Sequence, residues 1–182
     1  LSPDGNTMYL TRWTVKGGQK QAAIYTSARQ GDKWSEPVAL GPNVNASGFS
    51  AMQPFVTADN KYLFFVSNRP GGMGKNDIWY SQLQNGTPGA PRNMGTGINS
   101  RDEEQAPFYD VQNGVFIFSS DGRVGLGGLD FFVCDGNLTS WSSPRNLGAP
   151  VNSAKDDIYY NPVDKAKPLN GAFISSDRQS VC

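Results

Sequence analysis

Apolar residues in this chain fall in short blocks, some strictly alternating and some continuous, separated by clusters of Gly, Pro, Asn and Asp. The clearest block is YLFFVS, Tyr62 to Ser67, followed by a glycine-rich turn and then a second block from Asp77 to Gln82. No window carries a helical period. Blocks of strand length bounded by turn residues predict β-strands.

The same order recurs along the chain. Tyr62 to Ser67 is matched by Thr7 to Thr11, Val115 to Ser119 and Ala172 to Ser175. Asp77 to Gln82 is matched by Ala22 to Thr26 and Asp130 to Cys134, and the second copy begins with a short strand around Gln53 to Val56. Pro37, Pro91 and Pro144 are separated by 54 and 53 residues, and Gly41, Gly95, Gly148 and Asn45, Asn99, Asn152 keep those steps. Arg12, Arg69, Arg123 and Arg178 follow at 57, 54 and 55. The period is about 54 residues, giving repeats at about 1–54, 55–107 and 108–162 and an incomplete one at 163–182.

Four short strands per period of this length is the signature of a propeller blade. The expected fold is all-β: a β-propeller of four-stranded antiparallel blades, about three and a half of them, in one partial domain over residues 1–182. Such a number does not close a ring, so the expectation is a fragment of a larger propeller. Leu1 opens inside a repeat without an initiator Met, which points to a piece of a longer protein. Trp34 and Trp141 sit at equivalent places and are expected to wedge between blades. The first copy departs from the pattern. Its turn, Arg12 to Tyr25, is longer and has no Asp before the second strand, and its closing ASGFSAMQP has no acidic pair.

Composition narrows the chemistry. Lys plus Arg and Asp plus Glu are both 16, so no net field draws the chain to nucleic acid. No apolar run approaches the roughly 20 residues of a spanning helix, and direct membrane insertion is not expected. The chain has no histidine, which removes the commonest general base and zinc ligand. Its two cysteines, Cys134 and Cys182, read as buried small hydrophobes rather than as a disulfide. No GxxxxGK[ST] cradle is present, and no cofactor is expected.

The recurring segments SPDGNTMYL, SNRPGGMGKNDIWY, KWSEPVALGPNVN and DEEQAP resemble the TolB/WD40-like propeller repeats of bacterial envelope proteins. The closest likeness is to propellers of the Bacteroidota OmpA-family proteins. That family joins tetratricopeptide repeats, a propeller and a peptidoglycan-binding OmpA-like domain, and includes a type IX secretion system component. The resemblance implies a periplasmic, outer-membrane-associated parent whose propeller is a docking platform. It implies other envelope or secretion-system proteins as partners, with peptidoglycan association through other domains of the parent.

Blade topology would put Arg69, Arg123 and Arg178 on one rim with Asp102, Glu103, Glu104, Asp156 and Asp157. Opposite charges at a fixed offset predict arginine–carboxylate pairs linking successive blades. The sharper alternative is a polar funnel that binds a ligand or partner chain. Asp77 and Asp130 follow Gly-rich turns that resemble a calcium-binding Gly-Gly-x-Gly-x-Asp repeat. That motif stacks its ligands at a nine-residue period, and here it occurs once per repeat, so both aspartates are expected to accept backbone N–H bonds and fix the turn.

Of the enzyme readings, a sialidase-type Asp box fails because Arg29 holds the Asp position in SARQGDKW. The cluster Asp102-Glu103-Glu104 could still offer a glycosidase pair. The leading expectation is a non-catalytic interaction or scaffold module. A carbohydrate or peptidoglycan-fragment binder and a glycosidase-like propeller are the alternatives.

Overall fold

The computed structural model describes residues 1–164 and 166–178. Among them the fold is all-β, with sixteen strands in four antiparallel sheets and no helix. No helix is therefore long and apolar enough to cross a membrane.

The first sheet holds β1 (Thr7–Lys16), β2 (Gln19–Gln30), β3 (Lys33–Trp34) and β4 (Val38–Ala39), with β3 and β4 both paired to β2. The second holds β5 (Ala51–Val56), β6 (Tyr62–Ser67), β7 (Asp77–Gln84), β8 (Thr87–Pro88) and β9 (Arg92–Asn93). The third repeats that order with β10 (Glu104–Asp110), β11 (Val115–Ser120), β12 (Asp130–Asn137), β13 (Ser140–Trp141) and β14 (Arg145–Asn146). The fourth is the hairpin of β15 (Asp157–Pro162) and β16 (Ala172–Ser176).

Strand register shows which positions correspond. Ser67 faces Asp77, Ser120 faces Asp130, and Arg12 faces Ala23. Arg12 therefore takes the serine position, and its apparent phase with Arg69 and Arg123 in the sequence is a slip. The repeat limits also move. The limits near 54 and 107 fall inside β5 and β10, so the sheets divide just before Ala51, Glu104 and Asp157.

The first copy's long turn is a further correction. Arg12 to Tyr25 is no loop: β1 and β2 continue past the end of their counterparts and turn at Gly17-Gly18. Both glycines have positive φ, +58° and +77°, the geometry a two-residue hairpin demands. Thr14, Val15 and Lys16 pair with Gln21, Lys20 and Gln19, so the segment extends the ladder rather than looping out.

Successive sheets pack face to face. Phe64, Val66, Ile78 and Tyr80 of the second sheet share a core with Phe116, Phe118, Phe132 and Cys134 of the third. Leu63, Phe65 and Trp79 on its other face meet Ile24 and Val44. Both faces of β6 and β11 are thus covered, which is why LFFV and VFIF are continuously apolar. Full burial of each such side chain contributes about 1.5–3 kcal/mol.

Trp141 joins the core between sheets two and three, its ring 5.2 Å from Tyr109 and 5.3 Å from Phe116. Trp34 occupies the equivalent place but is 37% exposed. It lies on the face of the first sheet turned away from the second.

Candidate functional site

The ten charged residues singled out in the sequence fall into three arrangements. The first is an arginine clasp used three times. Arg123 Nη1 lies 3.0 Å from Glu104 Oε1 and 3.1 Å from Ser120 Oγ, while its Nη2 donates to the Ile98 carbonyl at 2.7 Å. Arg178 repeats this with Asp157 Oδ1 at 2.6 Å, Ser176 Oγ at 2.7 Å and the carbonyls of Pro150 and Val151. Glu104 opens β10 and Arg123 follows β11, the strand paired with it, while Asp157 opens β15 and Arg178 follows its partner β16. The ion pair therefore lies within a sheet. The link to the preceding sheet runs instead through its closing-turn carbonyls, so the expected pairing between successive units takes a different form.

Arg69 is the exception. Its Nε donates to Ser67 Oγ at 3.2 Å, Nη1 to Asn43 O at 2.8 Å, and Nη2 to Val44 O. Among the described residues it meets no carboxylate, because the residue opposite Ser67 is Ala51, where Glu104 stands opposite Ser120. The residue is 8% exposed, and burial pushes its pKa down. Its guanidinium lies 4.9 Å from the ring of Phe65 and 5.4 Å from that of Trp79, contacts worth about 0.5–2 kcal/mol each. The missing acidic pair of ASGFSAMQP is the signal that marked this site in the sequence.

Glu104 and Asp157 are themselves saturated. The Ser100 N–H donates to Glu104 Oε2 at 2.8 Å and Ser120 Oγ to Oε1 at 2.8 Å. Asp157 accepts from the Ser153 N–H at 2.7 Å and from Ser153 Oγ at 2.9 Å. Burial raises the Asp157 pKa, but bonds from Ser176, Arg178 and Ser153 outweigh it and hold the carboxyl below its ordinary value.

The second arrangement is the glycine-rich turn. Asp77 accepts the N–H groups of Met73 and of Gly74, the latter at 3.2 Å, and the Asn93 amide at 3.2 Å. Asp130 accepts from Leu126, Gly127 and Asn146 through Oδ2 alone, and its buried Oδ1 has no partner among the described residues. N–H groups aimed at a carboxylate oppose a cation there, so this geometry fits turn-fixing rather than calcium. Among the described residues no three His, Cys, Asp or Glu side chains gather as metal ligands.

The third arrangement ties each such turn to the connector that leads to the next sheet. Lys75 Nζ lies 3.0 Å from Asp102 Oδ1, and the Lys75 N–H donates to Asp102 O at 3.0 Å. Asp156 Oδ1 accepts the Leu129 N–H at 2.9 Å. A side chain on Gly74 would bring its Cβ within 2.5–2.6 Å of connector backbone at Ser100, Arg101 and Asp102, and Gly127 meets Ser153 and Lys155 as closely. Glu103 Oε2 accepts from Gln105 Nε2 at 2.8 Å, and Gln105 is bonded in turn by Gln53.

Residues that the sequence marked only as landmarks turn out to carry a structural role. Asn45, Asn99 and Asn152 each bond both backbone groups of one strand residue: Ile24, Ile78 and Phe131 respectively, at 2.8–3.0 Å. A side-chain amide has the same donor and acceptor pair as a peptide, so each asparagine stands in for a strand neighbour. The fixed spacing of Asn was the available signal, and its meaning needed the pairing partner. Cys134 is buried within the core, and Cys182 lies outside the described residues. No family model and no curated protein matches the chain.

Proposed function

We propose that this chain is a non-catalytic interaction module, a partial β-propeller whose sheets are successive blades of a periplasmic cell-envelope protein. One observation carries it: each of the ten charged residues is engaged inside the chain, holding a turn, a connector or a clasp. Carboxylates that hold turns, connectors and clasps are not the unpaired acids that glycosidase chemistry needs on either side of a sugar. The four consecutive antiparallel sheets, packed face to face at the sequence period, support the blade reading. The repeat resemblance supports the envelope location, with partners among envelope or secretion-system proteins, those of type IX secretion included.

The mechanism is rigid display. Buried clasps and Asn-capped strands fix the connectors, so a partner meets surfaces that need little ordering on binding. The test is to titrate the chain with peptidoglycan fragments and to assay it on aryl glycosides. The reading expects no saturable binding and no turnover. Turnover that disappears in Glu103→Gln, or saturable fragment binding, would overturn it.

A further inference from the structure

β5, β10 and β15 open their sheets, each running antiparallel along one edge of the strand that follows it, β6, β11 and β16. β1 is the counterpart of β6 and β11, and among the described residues no strand pairs with its second edge. The turn into it is nonetheless the same. Ser2 Oγ donates to Asp4 and the Ser2 N–H to Thr7 O, as Thr57 does with Asp59 and Tyr62. The Thr7 N–H in turn donates to Ser2 Oγ, so Thr7 directs its backbone groups away from β2. By the alternation of an antiparallel ladder, Tyr9, Thr11, Trp13 and Val15 direct theirs to the same edge. A free edge of this length is a template for a further strand.

The sister sheets describe the occupant. Their opening strands begin Ala-Met-Gln-Pro-Phe and Glu-Gln-Ala-Pro-Phe. The first residue stands opposite Ser67 or Ser120, and in the third sheet it is the acid that Arg123 holds. Arg12 takes that serine position in β1, so an acid opening the added strand falls directly across from it. Arg12 is exposed and meets no carboxylate among the described residues. Its guanidinium lies over the Tyr25 ring, 5.2 Å from the centroid, a stacking that leaves the in-plane N–H groups to donate. An aromatic in fifth place falls opposite Tyr9, as Phe55 falls opposite Phe64, and lies on the side of the half-buried Phe55. Thr11 Oγ1, not its backbone, accepts the Gln53 N–H at 3.0 Å, the part that Gln53 of an opening strand plays for the Ala106 N–H. All three opening strands of the chain are already paired, so a second copy has none to lend.

We propose that the second edge of β1 is the docking site for an extended segment of a partner protein, of the form acid-x-x-Pro-aromatic, added in the place that β5 and β10 hold in their sheets. The proposal rests on the interaction-module reading and gives it a location. Backbone bonds to Tyr9 and Thr11 supply the affinity, as in strand addition at a free sheet edge, and Arg12 selects the acid.

The probe is the N-acetylated peptide Glu-Gln-Ala-Pro-Phe-Tyr-Asp, the sequence of residues 104–110. It is titrated into the isotope-labelled chain and followed by amide chemical shifts. Saturable shifts are expected at Tyr9, Thr11 and Arg12. N-methylation of the peptide's Gln and Phe, which face Thr11 and Tyr9, removes bonds to the edge and is expected to weaken it at least about tenfold. N-methylation of its Tyr, whose N–H points away from β1, is expected to leave binding unchanged. Lys in place of the opening Glu is expected to weaken the peptide at least about fivefold, and Arg12→Glu in the chain to restore the Lys peptide while rejecting the Glu one. No saturable shift, shifts centred elsewhere, indifference to the Gln and Phe N-methyl groups, or indifference to the charge swap would each overturn the proposal. None of these outcomes produces glycan binding or turnover, so failure here is distinct from failure of the interaction reading.

Discussion

Glu104 is fully buried, and Arg123 Nη1 lies 3.0 Å from its Oε1. The pair sits at the junction of two sheets, since Arg123 also holds the Ile98 carbonyl of the preceding closing turn. Removing one partner of such a pair leaves a buried charge uncompensated, at a cost of about 3–5 kcal/mol. Glu104→Ala is therefore expected to lower the unfolding free energy by that amount in urea titration. Glu104→Gln, which keeps acceptors for Ser100 and Ser120, should cost less. A change under about 1 kcal/mol for Glu104→Ala would show that the clasp is solvated and unimportant.

Asp157 makes stability depend on pH. Its folded pKa is depressed, so its contribution is present above the unfolded value of about 3.9 and is lost as pH falls through the folded one. Urea midpoints measured from pH 6 down to pH 2 should fall across that interval. Asp157→Asn should flatten the fall and lower the plateau at pH 6. An unchanged acid slope in the variant would remove Asp157 from the account.

Asn99 closes both backbone groups of Ile78 in a buried position. Asn99→Ala orphans the Ile78 N–H, at about 1–3 kcal/mol, while the Ile78 carbonyl keeps the Met94 N–H at 3.1 Å. The loss should appear at equilibrium and as faster hydrogen exchange at the Ile78 amide, while exchange at Phe131 in the next sheet stays slow.

Glycine matters where backbones touch. Gly74→Ala drives a methyl into connector backbone and is expected to cost about 1–3 kcal/mol or more. Gly97→Ala, with open space around its Cβ and no positive φ, should change stability by less than about 0.5 kcal/mol. Equal effects of the two would refute the close approach of turn and connector.

The Cys134 thiol is pushed up to about 11 by burial, with Arg123 opposing and Asp135 adding to the rise. It should resist alkylation by iodoacetamide at pH 8 in the native state, since the thiolate is the nucleophile. Mass spectrometry should show Cys134 modified only after denaturation. Rapid native labelling at that site would place it at the surface.

The strands themselves were legible because their patterns are local. Tyr62 to Ser67 appears at the bounds its apolar run predicts, and Asp77 starts β7 as its turn chemistry requires. Arg12 was misread because a 57-residue step looks like its neighbours, and only the pairing of Arg12 with Ala23 shows it two positions out of phase. The hairpin of the first sheet was missed for a related reason. A Gly-Gly pair is compatible with either a loop or a two-residue turn, and the choice depends on whether the flanking strands go on pairing.

By itself the sequence determined the all-β class, the repeat period, the strand identities and the roles of Asp77 and Asp130. Each of these is set by residues near one another in the chain or by their recurrence. Tertiary structure alone decided that Glu104 pairs with Arg123, that Ala51 faces Ser67 where Glu104 faces Ser120, and that Arg12 takes a serine position. Those outcomes depend on which distant residues share a register, and a single register shift exchanges one partner for another.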